Sequence, residues 1–363
     1  MKVLIIGAGV IGLLTARRLH HEGCQVIVVD AAPEGRPASW AGGGILSPLY
    51  PWRYPVEIQQ LTASADQYYL SLQQELLALD ASIDIEVEAQ GMLVLEPEDA
   101  PEARQWGARQ GVSLRSLEAG EIQRSWPYLK RGVEGLWFSE CAHVRNPRLL
   151  RALRIEMIQK GILFSESLPV QAMVRSGDRL ESVRLRNGNL LEADHYVVCA
   201  GPWSAGLLVS CGLELPIQPV RGQMLAYRDP SQGQMRAMVL YQGRYLIPRR
   251  DGVILVGSTV EEVGFDASVT PMAREALQGF AEDLVPMLRG QQPFAQWAGL
   301  RPASPRGVPF IGSLLDNLWV STGHFRNGLV MAPASAELLA DLMLGRTPLL
   351  DPAPYQPRHS LAK

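Results

Sequence analysis

Three glycines spaced as Gly7, Gly9 and Gly12, in Gly7-Ala8-Gly9-Val10-Ile11-Gly12, together with Asp30 further on, have the types and spacing of a nucleotide clamp. In such a pattern the first glycine permits a tight turn, the second lets the backbone approach a pyrophosphate, and the third lets a helix pack closely on a strand. Asp30 would accept from a ribose hydroxyl. The helix N-terminus adds exposed N–H groups and about half a positive charge, which suit phosphates. A second stretch, Ser39-Trp40-Ala41-Gly42-Gly43-Gly44-Ile45, offers a hydroxyl and unobstructed N–H groups to a phosphate or to the edge of a flat ring. A third, Gly323-His324-Phe325-Arg326-Asn327-Gly328-Leu329, follows an apolar strand and precedes a helix, so a second helix N-terminus is offered from the far end of the chain. NAD needs no second clamp. A flavin does, because its reduced form carries negative charge near the pyrimidine edge, which that terminus with Arg326 nearby would stabilise. FAD is therefore the expected cofactor.

The elements that must position these residues are legible as alternating apolar runs and turns. Residues 2–6 read as a buried strand, 13–21 as a helix, and 25–29 as a second strand ending on Asp30. A polar, proline-bearing stretch follows. Residues 59–79 form an amphipathic helix whose apolar stripe is Leu61, Tyr68, Leu72, Leu76 and Leu79. From Glu88 the character changes: strands at 91–95 and 136–138 enclose short helices at 100–110 and 117–123. Asn146 then caps a helix running to Lys160, with Pro147 just inside its start. Strands at 161–164 and 169–174 lead to a hairpin turning at Asn187-Gly188. Residues 196–199 read as a buried strand that resumes the first sheet, with His195 at its edge in a structural role. Four runs, 219–227, 237–241, 244–248 and 253–257, make an antiparallel meander with turns at Gln242-Gly243 and Asp251-Gly252. Helix 271–289, strand 318–322, helix 332–344 and a proline-rich extended tail from Thr347 complete the chain. The fold expected is α/β, with a discontinuous Rossmann-type FAD-binding domain (1–87, 146–216 and 299–363). A substrate domain on an antiparallel or mixed β-sheet (88–145 and 217–298) completes it.

Composition narrows the function classes. With 363 residues, 47% hydrophobic and 20% charged, the chain can bury a sizeable core. A net charge of −3 and no Lys/Arg block exclude a nucleic-acid footprint and a polybasic membrane anchor. Cys24, Cys141, Cys199 and Cys211 form neither a CxxC pair nor a ligand-like cluster with histidine, which reads as reduced thiols in a cytoplasmic protein without a metal. The uncharged run before Arg17 is a nucleotide turn and not a signal peptide, and no run approaches the ~20 apolar residues of a bilayer span.

GAGVIG, the Ser-x-x-GGG loop, HYVVCAGPWS, WAGLRP and GHFRNG, in that order along nearly the whole chain, resemble the D-amino acid oxidase superfamily of FAD enzymes, and glycine oxidases most of all. The resemblance implies FAD pyrophosphate on Gly7, Gly9, Val10, Ile11 and Gly12, ribose on Asp30, and phosphate or isoalloxazine contacts from Ser39, Gly43, Gly44 and Ile45. It implies an adenine contact from the Val170 backbone, and the flavin's pyrimidine end against His324, Phe325, Arg326, Asn327, Gly328, Leu329 and Val330. Asp30 stands where many relatives have Glu. For a substrate carboxylate it implies Tyr245, Arg301 and Arg326, with Tyr245 and Arg301 acting in catalysis. Arg301, between apolar Leu300 and Pro302, is a poor candidate for a solvated surface charge and a good one for a bidentate grip. Ile45 and Val260 occupy positions that can be methionine in relatives, and Tyr50 a position that can be small. The activity implied is oxidation of glycine and small amines or D-amino acids by hydride transfer from Cα to flavin N5, giving an oxo acid, ammonia and H₂O₂. Orientation would do most of the work. Flavin would be non-covalent, since no cysteine follows Cys211. A supply of imine for thiamine thiazole synthesis and a homo-oligomeric state are also implied. Sarcosine oxidase-like and quinone-linked D-amino acid dehydrogenase activities are the alternatives.

Overall fold

The computed structural model describes residues 1–32, 38–231, 233–357 and 360–361. The proline-bearing stretch at 33–37 and residues 358, 359, 362 and 363 of the tail lie outside them. The chain builds two large sheets. The first has the order Phe310–Leu315, Leu318–Thr322, His195–Val198, Lys2–Ile6, Gln25–Asp30, Leu163–Glu166. All neighbours are parallel except the edge strand Phe310–Leu315, whose turn onto Leu318–Thr322 has no glycine and escapes sequence reading. Near-continuous apolar strands such as Val3-Leu4-Ile5-Ile6 are what a sheet covered on both faces requires, and all four are buried.

The helix after the glycine turn starts at Val10 and runs to His21, with extended Gly9 as its N-cap. Gly7 sits at φ +114°, and a Cβ at Gly12 would collide with the Gly7 carbonyl oxygen, so a third glycine is what lets the helix lie against its own strand. The expected single helix over 59–79 is two, Val56–Thr62 and Ala65–Leu79. Thr62 donates its hydroxyl back to the Ile58 carbonyl, 3.0 Å, which disturbs the ladder at the break. The change of phase buries Tyr69 in place of Tyr68 and leaves Leu79 exposed.

The second sheet has eight strands, ordered Ala295–Ala303, Gln218–Arg228, Val253–Gly257, Arg244–Pro248, Met238–Tyr241, Met92–Leu95, Gly135–Phe138, Leu114–Leu117. It is antiparallel apart from the Met92–Leu95 and Met238–Tyr241 pair, and the helix Pro271–Leu284 packs its Leu277, Phe280 and Leu284 into the core beside it. That helix is shorter than 271–289, because Pro286 stops it and a single 3₁₀ turn follows. Leu117 ends a strand, and the helix expected there begins at Ala119. The last helix begins earlier than expected, at Gly328, and runs to Met343 through Pro333. The tail is not wholly extended: Ala353–Tyr355 is a 3₁₀ turn, and buried Tyr355 donates its hydroxyl to the Glu57 carbonyl at 2.7 Å. Together these results define an α/β fold with one mixed, mainly parallel sheet and one mainly antiparallel sheet.

Candidate cofactor and substrate site

A cavity of about 610 Å³ draws its wall from both sheets and from both ends of the chain. Gly7, Gly9, Val10 and Ile11 enter it from the first turn and helix, Asp30 from the end of the strand Gln25–Asp30, and Ser39, Gly43, Gly44 and Ile45 from the glycine loop. Val170 enters from the start of its strand, and His324, Phe325, Arg326, Asn327, Gly328, Leu329 and Val330 from the last turn. Tyr245 and Arg301 stand in the same wall. Gly12 does not; it packs against the Gly7 carbonyl behind it.

At the first helix N-terminus, the Val10 N–H donates to Ser39 Oγ at 3.0 Å, which joins the second glycine stretch to the first. The first helical turn has no acidic residue of its own, and the Ser39 hydroxyl and the Asp30 carboxylate meet its leading N–H groups from outside the helix. Asp30 accepts from the Ala8 N–H at 2.6 Å and the Ala32 N–H at 2.8 Å, one on each carboxylate oxygen, and this braces the turn. Asn146 belongs to the wall as well. It does not cap its helix, whose N-cap is Arg145. Its amide donates to the Ser39 carbonyl at 2.8 Å, while its Oδ1 has no partner among the described residues.

At the other end, Arg301 is carried by Ala295–Ala303 and enclosed by protein, with its open face in the cavity wall. Its guanidinium donates to the Thr259 carbonyl at 3.1 Å and to Ser258 Oγ at 2.8 Å, both neutral acceptors. Burial pushes its pKa down; Tyr245 opposes that shift and the nearby charge of Arg326 reinforces it. Gly222 on the neighbouring strand makes the room, since a Cβ there would overlap the guanidinium. Tyr245 is buried and donates its hydroxyl to Met224 Sδ at 3.3 Å, a weak acceptor. Arg326 reaches the Gly243 carbonyl only at 3.5 Å. Ser258, Asn146 and Gly222 escape sequence reading because a serine at a strand end, a residue at a helix start and a strand glycine each have a common structural explanation. His195 lies off the cavity and accepts from Trp319 Nε1 at 3.2 Å.

These residues fit FAD. The glycine loop approaches closely enough that a Cβ at Gly43 would come within 2.8 Å of the Tyr245 ring, so any side chain there would fill the cradle. Fully buried His324 offers a partnerless Nδ1, and burial drives its pKa down to about 3, which keeps it neutral. Among the described residues no group of three or more His, Cys, Asp or Glu could hold a metal, and no helix is long and apolar enough to cross a membrane.

A parallel sheet whose glycine turns and two helix N-termini face one long cavity defines a dinucleotide-cofactor enzyme. The chain belongs to the DAO family of FAD-dependent oxidoreductases, whose model matches residues 2–342. It is 47% identical over 360 residues to a glycine oxidase of Pseudomonas aeruginosa, covering 98% of each chain. It is 30% identical to a bifunctional ThiO/ThiG protein of a Nostoc species, spanning 94% of this chain and 52% of that longer one. The crystal structure of glycine oxidase from Geobacillus kaustophilus matches with a TM-score of 0.91 at 25% identity, over 98% of both chains.

Proposed function

We propose that this enzyme is an FAD-dependent oxidase that deaminates glycine and small amines or D-amino acids, with O₂ as the electron acceptor. The observation that carries the reading is Arg301: an enclosed guanidinium with only neutral protein acceptors, facing the cavity beside Tyr245 and Arg326. Two cations and a hydroxyl without a carboxylate partner among the described residues make a receptor for a small carboxylate. The names of the relatives favour an amino acid as its bearer.

In this reading Arg301 grips the substrate carboxylate, Tyr245 turns its hydroxyl from Met224 to the same group, and Arg326 adds charge from the last turn. Gly7, Gly9, Val10, Ile11 and Gly12 shape the pyrophosphate turn, Asp30 serves the ribose, and Val170 the adenine. Ser39, Gly43, Gly44 and Ile45, with His324 through Val330, enclose the non-covalent flavin. Its chemistry, when bound, is acceptance of a hydride from the substrate Cα at N5 and delivery of the electrons to O₂. The balance is amino acid, O₂ and water to oxo acid, ammonia and H₂O₂; glycine gives glyoxylate. This chain's residues contribute orientation and exclusion of water, and no strong base need touch the Cα. The division of labour follows a cofactor part (1–87, 146–216, 299–363) and a substrate part (88–145, 217–298), with the strand Ala295–Ala303 crossing the last junction. We place the enzyme in the cytoplasm as a homo-oligomer. The ThiO/ThiG relative favours a role in supplying imine for thiamine thiazole synthesis.

Arg301→Lys and Arg301→Ala test the reading. Truncating one partner of an enclosed charge pair costs about 2–5 kcal/mol, so the apparent KM should rise more than about thirtyfold while FAD stays bound. Unchanged kinetics would remove the carboxylate role. A panel of glycine, D-alanine, D-proline and L-alanine with an H₂O₂ readout tests the substrate class; turnover of the L-amino acid alone would overturn it. H₂O₂ formed in air also separates an oxidase from a quinone-linked dehydrogenase.

A further inference from the structure

A second buried guanidinium, Arg249, lies behind the cavity wall at the end of Arg244–Pro248. One of its terminal nitrogens donates to the Gly43 carbonyl at 2.7 Å, and the other to the Val144 carbonyl at 3.1 Å and to His143 Nδ1 at 2.6 Å. Arginine can only donate, so Nδ1 is the acceptor and the imidazole proton sits on Nε2. Burial and the Arg249 charge push the His143 pKa down to about 3, which keeps the ring a neutral acceptor. The nearby carboxylates are engaged elsewhere: Glu86 pairs with Arg145 at 3.0 Å and Asp251 pairs with Arg145 at 2.8 Å. Arg249 is thus a buried cation held by three neutral acceptors from two other segments. Burial lowers its pKa only to about 10, so it stays charged at neutral pH.

Its position is what gives it a task. The glycine loop is zipped to the 142–144 segment by Val144 N–H to the Gly44 carbonyl and Leu46 N–H to the Ala142 carbonyl, both 2.8 Å. Gly43 is the next residue along, where the loop lines the cavity, and the Arg249 fork is its anchor from behind. A salt-bridged arginine would neutralise itself; this one keeps its charge directly behind the wall. We propose that Arg249 is a positioning residue for the flavin: it fixes the Gly43 carbonyl, and its unneutralised charge favours the reduced, anionic cofactor over the oxidised one. The inference rests on the cavity being the FAD site.

The test uses Arg249→Met, which keeps much of the volume and loses both charge and donors, and Arg249→Lys, which keeps the charge and loses the fork. Apoprotein is titrated with FAD, and the two-electron potential of the holoenzyme is measured. R249M should bind FAD at least tenfold more weakly. It should also favour reduced over oxidised flavin about tenfold less, a potential roughly 30 mV lower. R249K should recover the potential and not the FAD affinity. A folded R249M with wild-type potential overturns the charge role, and wild-type FAD affinity overturns the clamp. Should R249M fail to fold, R249K decides alone: unchanged FAD affinity overturns the proposal. Wild-type protein that takes up no FAD would overturn the cavity reading along with it, whereas FAD uptake with indistinguishable variants overturns the proposal alone.

Discussion

Tyr245 holds its hydroxyl on a thioether sulfur, a partner weak enough to be exchanged for a carboxylate. A hydrogen bond to a charged group contributes about 1.5–3 kcal/mol, so Tyr245→Phe should lower kcat/KM by roughly ten- to a hundredfold, leave FAD binding intact, and cost little stability. Steady-state kinetics beside a thermal melt separates those outcomes. Buried neutral histidines make a second prediction at this scale. His143 and His324 have pKa values of about 3 in the folded chain, well below that of an exposed imidazole. As pH falls, the unfolded chain takes up their protons first. Their contribution to stability is therefore complete above pH ~6.5 and is lost as pH falls towards 3, at a limiting slope of about 1.4 kcal/mol per pH unit for each ring. Denaturation midpoints between pH 6.5 and 4.5 should fall less steeply in His143→Asn than in the wild type.

The strand beside Arg301 must leave room for the guanidinium to lie where it does. Gly222, on Gln218–Arg228, supplies the gap, and Gly222→Ala should push the guanidinium off Ser258 and Thr259. The expected result is a raised apparent KM with normal FAD content, because the displaced group lies at the substrate end; normal KM would show that Arg301 relaxes without cost. Gly12 tests the opposite end: a Cβ there meets the Gly7 backbone, which cannot yield, so Gly12→Ala should lose FAD and several kcal/mol of stability. Glycine spacing made the Gly12 contact legible in the sequence, since a helix turning back on its own strand has few solutions. Gly222 was illegible, because its neighbour Arg301 is seventy-nine residues away in sequence and meets it only through sheet register. The same distinction explains the broken helix at 62–65 and the antiparallel edge strand Phe310–Leu315: hydrophobic periodicity sets an element's face, and packing partners set where it stops. Arg249 reads in sequence like its exposed neighbour Arg250, and only the fold separates the two.

Across the molecule, the cavity joins elements far apart in sequence: the glycine loop near residue 43, the strand end at 301 and the last turn at 324–330. Direct links across it exist, as in Trp297 Nε1 donating to the Ala41 carbonyl at 3.0 Å and the bridge between Ala303 and His324, yet the cavity leaves room between them for a ligand that touches both sheets. A ligand of FAD's length touching both sheets should therefore couple their unfolding. Binding to the folded chain alone stabilises it by RT ln(1 + [L]/Kd), about 2.7 kcal/mol at one hundred times Kd. FAD-depleted protein should accordingly melt at lower temperature and in a broader or divided transition. FAD added back should restore a single transition whose midpoint climbs with FAD concentration. FAD-depleted protein that melts in a single transition as sharp as the holoenzyme's, with only its midpoint lowered, would mean that the two sheets are already rigidly joined without the cofactor.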